Sequence, residues 1–523
     1  MEVAPFLFET NFSILDWGIV ITYILSMGAV GMLVNKYIHT VPDYMVGGRA
    51  TGLALNTASY IGTELGLVTV MYASIEAFTR GFAYLAIPLI GLIAAFVIGK
   101  TGWVIQELRR KKLVTIPEYF EKRYNRKVRI LSGVLMVLAG ILNMGLFPKM
   151  GATFLTYSTG LIALGDAQMV VNLVMTLLIL LVVAYTIMGG MVAVIITDYF
   201  QFMVLSIGLL LGLYFVFSDP IINWDHMVET LVFAKGEAAV NPFDPDSYGI
   251  LYLIWMLVVY ITSSFSWGPT ASRALTGQNP TIARQTFLLG SPGQFIRTAV
   301  PALFALAAFY WFVQDPGWRN FFFPTGVAHE AAHVAEAMPL FMGKLLPSGM
   351  LGVLVAGLLA AFMSTHDSYF ITWASIISRD IILPLQKRRV SQQEQIRYAR
   401  VSIVLMGLFL LIWGLWYELP DSVWTYMAIS TNIYLTGASA ALVGGVYWKK
   451  ASVAGAWAAM LGGLISLVGI FPVQIQELLP WFSTSLLGLI NYLWCAFLLI
   501  VFSLLFPDPK SAVAANEEEV PHG

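Results

Sequence analysis

Charged residues are scarce in this chain. Only 11% of its 523 residues are Asp, Glu, Lys or Arg, against about 25% in an average soluble protein. Lys and Arg total 29, Asp and Glu 30, for a formal net charge of −1. No nucleic-acid partner is expected from that balance. Cysteine is nearly absent: Cys495 stands alone in an apolar run, which rules out a disulfide within one chain and fits a small buried or lipid-facing residue better than a reactive thiol. Residues Met1 to Asp16 lack the basic stretch of a cleaved signal peptide, so the first apolar run is expected to stay in the mature protein. Low-complexity tracts and a separate soluble domain are also missing.

Long apolar runs fill the chain instead. Hydrophobic residues make up 58% of it and the mean hydropathy is +0.77. Runs of 18 or more such residues are long enough to cross a bilayer as helix. About thirteen spans are expected, near 15–35, 52–78, 82–106, 130–158, 168–188, 191–217, 249–271, 286–313, 348–378, 399–416, 422–447, 452–473 and 484–506. The chain therefore reads as an all-α polytopic membrane protein, one transmembrane domain over 1–506 with its core near 50–450. Residues 507–523 read as a short acidic tail. An N-terminus outside puts 23 of the 29 basic residues on the cytoplasmic side or its borders, as the positive-inside rule requires. That implies a multi-pass protein of the plasma (inner) membrane with a cytoplasmic C-terminus.

Within this apolar background one stretch is chemically unusual. Gly357-Leu-Leu-Ala-Ala-Phe-Met-Ser-Thr-His-Asp-Ser368 places Ser364, Thr365, Asp367 and Ser368 at membrane depth. Ionisable groups there cost about 2.5–3.5 kcal/mol on insertion scales, which makes such a group a functional-site hypothesis. Side chains that offer only oxygen suit a hard cation, so the stretch points to a small-cation site and an ion-coupled carrier. Hydroxyls in helices also bond back to the preceding turn, so Ser364 and Thr365 alone decide nothing.

Two other spans look interrupted. One contains Gly62, Glu64, Leu65 and Gly66; the other contains Ser266-Trp267-Gly268-Pro269. Gly and Pro break the helical ladder, and backbone freed inside a membrane is tolerated only where it lines a cavity or site. Two broken spans, five spans apart, point to an inverted-repeat transporter with its site at the midplane.

These segments, with Gly47-Gly48-Arg49, Thr115-Ile-Pro-Glu-Tyr-Phe-Glu-Lys-Arg-Tyr124 and Tyr185-Thr-Ile-Met-Gly-Gly-Met-Val-Ala-Val-Ile-Ile-Thr-Asp-Tyr-Phe-Gln201, resemble the sodium/solute symporter family, which has a LeuT-like 5+5 inverted-repeat core. The resemblance implies a sodium site made of the carbonyls of Gly62, Leu65 and Ala361 and the hydroxyls of Ser364 and Thr365. It suggests a second cation site at Asp198, Asp367 and Ser368, although Asp367 departs from the hydroxyl of members that have one. It implies no cofactor beyond sodium as coupling ion. Glu64, Trp267, Lys149 and Arg297 are candidates for substrate contact, the two cations because a charge at membrane depth needs a partner. The implied function is alternating-access symport of sodium with a small organic solute, an organic acid or amino acid being favoured. A proton-coupled carrier and a sugar symporter remain alternatives, the second weakened because Trp424 to Thr436 contains no Gln. His329-Glu330-Ala331-Ala332-His333 matches the zinc-protease pattern HExxH, a remote alternative in an expected outer loop with no clear third ligand.

Overall fold

The computed structural model describes residues 9–35, 51–326, 331–417, 422–470 and 483–509. Gly47-Gly48-Arg49, His329, Glu330 and the tail from residue 510 lie outside the described residues. Every regular element among those described is helical, joined by one isolated bridge between Thr51 and Gly277.

Ten of these helical stretches are long and apolar enough to cross a membrane. Three of the thirteen runs expected from the sequence are not counted separately among those ten. The first is α1 (Ile14–Asn35), a helix of 22 residues. The second breaks into α2 (Leu53–Glu64) and α3 (Leu67–Arg80). Its second half then joins α4 (Ala86–Thr101) through a tight turn at Gly81, whose φ of 69° suits glycine. The third is Val423–Tyr447, a 25-residue helix with no charge but too many Ser, Thr and Asn residues to qualify on hydropathy.

Next come α5 (Arg126–Met144), α6 (Phe147–Ser158) and α7 (Ala167–Ser218). Helix α7 has 52 residues, about 78 Å at 1.5 Å per residue, against a hydrocarbon core of about 30 Å. It holds two span-length pieces, Ala167–Ile187 and Ile196–Ser218. The second broken span is α8 (Gly249–Ser266) and α9 (Gly268–Thr276), interrupted at Trp267, whose ψ of 122° is extended. Helices α10 (Pro280–Gln314), α11 (Met350–Ile376), α12 (Gln392–Trp416), α13 (Val423–Tyr447), α14 (Val453–Gly462) and α15 (Thr484–Leu505) complete the set.

Helix α11 is the axis of the fold. All its residues are buried except Met350, Val353 and Tyr369. A helix apolar on every side belongs in an interior, and the polar stretch from Ser364 to Ser368 is therefore surrounded by protein. Small residues let neighbours close on it. A Cβ on Gly357 would lie 3.0 Å from the Leu205 Cα, and one on Gly208 3.1 Å from the Leu354 Cα.

The tightest such approach joins α4 to α10, where a Cβ on Gly99 would lie 2.2 Å from the Leu288 backbone nitrogen. Overpacking of this kind costs about 1–3 kcal/mol. Gly99→Ala is expected to lower the melting temperature of the detergent-solubilised protein by several degrees. Gly18→Ala, with nothing within 4 Å, should leave it unchanged. Equal melting of the two variants would contradict the close approach.

Candidate ion and solute site

The first break supplies the backbone. Helix α2 ends at Glu64, Leu65 takes φ −92° and ψ 69°, and Gly66 is extended before α3 begins. Leu65 is the last residue whose N–H bonds back into α2, reaching the Ile61 carbonyl. The break lies against α11 at Thr365. A Cβ on Gly66 would stand 2.3 Å from the Thr365 Oγ1, so only glycine permits the contact.

Two hydroxyls of α11 face this backbone. Ser364 Oγ lies 3.5 Å from the Gly62 carbonyl oxygen, and Thr365 Oγ1 lies 3.5 Å from that of Thr63. A good O–H···O bond is about 2.5–3.0 Å. Ser364 has one hydrogen to give, and its short contact to Asp198 Oδ1 claims it. Two lone-pair-bearing oxygens thus face each other with no hydrogen between them. Oxygens that share a cation at 2.3–2.6 Å and a right angle stand about 3.3–3.7 Å apart. The spacing at Gly62 and Ser364 is that of cation ligands. Ala361, one turn before Thr365, is buried on the same helix.

The residues expected to form a second cation site divide. Asp198 and Ser368 both bond to Arg273, which the sequence reading had counted with the charges bordering the cytoplasm. The Arg273 side chain is fully buried on α9. Its Nη2 lies 3.2 Å from Asp198 Oδ2 and donates to Ser368 Oγ at 2.8 Å and to Thr63 Oγ1. Asp198 Oδ2 also accepts from Ser59 at 2.7 Å. Asp367 turns elsewhere: Oδ1 accepts from Thr186, while Oδ2 has no hydrogen-bond partner among the described residues. The span containing the second break was expected to end at residue 271, which hid Arg273. A base six residues beyond Trp267, within Ala271-Ser-Arg-Ala-Leu275, was the available signal.

A cavity opens beside the first break. Glu64, Arg297, Trp267, Tyr60 and Gln294 are among its lining residues. Arg297 Nη1 lies 3.0 Å from Glu64 Oε2 and also donates to the Glu64 carbonyl. Thr270 donates to the other carboxylate oxygen. The cavity thus presents a matched pair of opposite charges. Trp424, another lining residue, packs on Tyr72, with ring centroids 4.6 Å apart, and near Tyr260 at 5.9 Å. Trp267 Nε1 donates to Tyr369 Oη, also on the cavity wall, at 3.2 Å. Lys149 is not a lining residue; its Nζ donates to the Tyr417 carbonyl at 3.1 Å.

Beyond Trp424 lies a polar knot that sequence reasoning did not single out. Glu76, buried on α3, accepts from Tyr248 Oη at 2.9 Å and from Ser422, and pairs with Arg80 Nε at 3.3 Å. It ties α3 to the starts of α8 and α13.

The HExxH pattern does not continue as one helix through His333. That residue takes φ 56° and caps the helix Val334–Leu345. Its ring stacks on Phe321 at 4.4 Å, and a hydrogen bond to Glu336 holds its imidazole above its ordinary pKa.

Comparison with known proteins agrees with this geometry. The Sodium:solute symporter family matches residues 44–463. The Sodium/sialic acid symporter SiaT of Proteus mirabilis (strain HI4320) is 24% identical, over 91% of this chain and 93% of the relative. The Sodium/pantothenate symporter of Haemophilus influenzae is 26% identical over 86% and 89%, and the osmoregulated proline transporter OpuE of Bacillus subtilis 23% over 89% and 92%. A solved Na+-coupled sialic acid symporter in a substrate-bound outward-open state superposes with a TM-score of 0.75 at 19% identity, covering 95% of this chain and 99% of that one. The protease reading falls with this match: the chain belongs to the sodium:solute symporter family, and it is a secondary transporter with a LeuT-like fold, not an enzyme.

Proposed function

We propose that this protein carries a small zwitterionic solute, an amino acid, inward with sodium through the site at the first helix break. The observation that supports sodium is the pair of facing oxygens at Gly62 and Ser364, 3.5 Å apart with the serine hydrogen spent on Asp198. Sodium would take the carbonyls of Gly62, Leu65 and Ala361 and the hydroxyls of Ser364 and Thr365. The solute class follows from the cavity. Arg297 fits a carboxylate and Glu64 fits an ammonium, and a zwitterion satisfies both without leaving a buried charge.

Coupling then has a local origin. The sodium ligands and Glu64 share the segment from Gly62 to Leu65, and Arg297 holds the Glu64 carbonyl. An ion that draws this segment onto α11 also positions the carboxylate that receives the solute. Sodium must bind the solute-competent state more tightly to drive the cycle. The aromatic contacts at Trp424 and Trp267 serve as the two gates of alternating access. Residues 1–506 act as one transporter domain. An N-terminus outside and a C-terminus in the cytoplasm would put most basic residues on the cytoplasmic side.

Reconstituted protein is expected to take up a labelled amino acid only with an inward sodium gradient. Ser364→Ala and Thr365→Ala should each raise the half-saturating sodium concentration about tenfold, the equivalent of about 1.4 kcal/mol. Uptake that persists in choline at several pH values would overturn sodium coupling.

Arg297→Gln is expected to raise the KM for the solute tenfold or more, since a carboxylate–cation contact is worth about 1.5–3 kcal/mol, with a smaller change in sodium affinity. A panel of labelled amino acids, organic acids and sugars tests the class. Preferred uptake of an uncharged sugar, or an unaltered KM in Arg297→Gln, would refute the zwitterion.

A further inference from the structure

We propose that Arg273 is a fixed cation standing where a second sodium ion would otherwise bind, so that one sodium ion enters per cycle. The inference rests on the sodium-coupled reading above and adds the ion count. Around Arg273 Nη2 stand one carboxylate oxygen, Asp198 Oδ2 at 3.2 Å, and two hydroxyls, Ser368 Oγ at 2.8 Å and Thr63 Oγ1. They come from α7, α11 and α2. One carboxylate with neutral oxygens is the donor set of a monovalent cation site, and every one of these oxygens is turned to the guanidinium. Arg273 and Asp198 are both fully buried. Their charges cancel, which removes the electrostatic need for a mobile ion at Asp198.

The fixed cation also reaches the sodium site. Asp198 uses Oδ2 for Arg273 and Oδ1 for Ser364. The Ser364 hydrogen is thereby held away from Gly62, and its lone pairs stay aimed at the ion. A sodium ion bound at Asp198 would do this only while bound. Arg273 does it with no ion bound there, because it is covalently part of α9. The driving force then scales with the first power of the sodium gradient.

The test is equilibrium binding of radioactive sodium to purified full-length protein in detergent, with no solute present. The parent chain and Arg273→Lys are each expected to bind one sodium ion. Arg273→Gln opens the Asp198 oxygens and should bind two. The double variant Asp198→Asn, Arg273→Gln removes the freed carboxylate and should return to one, and it keeps the count readable if the single variant fails to fold. Two ions in the parent chain, for instance with the second at Asp367, would overturn the inference while leaving sodium coupling intact. One ion in a folded Arg273→Gln would also overturn it. No sodium bound by the parent chain, or a single ion retained when Ser364 and Thr365 are both changed to Ala, would instead overturn the sodium-site reading on which it rests.

Discussion

A carbonyl that leaves a helix inside a bilayer has no water to accept from, and it must meet a protein donor or an ion. The break at Leu65–Gly66 creates such carbonyls beside α11, a long helix buried over almost its whole length. Gly66 has no Cβ, so the break can lie against Thr365. Ser364 and Thr365 answer it with oxygens held just too far for strong hydrogen bonds. The surrounding packing keeps them there: close glycine contacts at Gly208 and Gly357 fix α11 against α7, and α7 carries Asp198. Ion site, helix break and helix packing are therefore one arrangement.

Asp198 shows how far that arrangement extends. A carboxylate at full burial is tolerated only with charge and hydrogen bonds around it, and its partners come from three helices other than its own. Ser59 is on α2, Arg273 on α9, Ser364 on α11, and Asp198 itself on α7. Its two oxygens divide the work, one fixing an ion ligand and the other a half-helix. A change at either end is felt at the other.

Much of this was legible in the sequence, because membrane depth makes polarity rare. Glycine with a carboxylate at 62–66, Gly268-Pro269, and the hydroxyls at 364 and 365 stood out against long apolar runs. Glu64, Trp267 and Arg297 line the cavity. What the sequence concealed was partnership. Arg273 lay just past an expected span end, and its carboxylate is 75 residues away in the chain. Lys149 looked equivalent to Arg297, two cations in apolar spans, yet its ammonium reaches the Tyr417 carbonyl instead. Glu76 sits one turn before Arg80, and its partners Tyr248 and Ser422 are remote in sequence.

The two broken helices are also tied to each other at their ends. Gln278 N–H bonds to the Thr51 carbonyl at 3.2 Å and Thr51 Oγ1 to that of Thr276 at 2.7 Å. Asn56 donates to the Arg273 carbonyl at 2.9 Å. These bonds join α2 to α9 without involving α11. Arg273, in contrast, joins both half-helices to α7 and α11 through Asp198 and Ser368. Movement that opens this side of the site can therefore carry α2 and α9 as a pair, and the contacts it has to release are those of Arg273 and of the ion. Both are cation contacts to α11 or its carboxylate partner. Two buried cation contacts on one side of the site would thus be tied to a single carboxylate, Asp198, one through Arg273 and the other through Ser364.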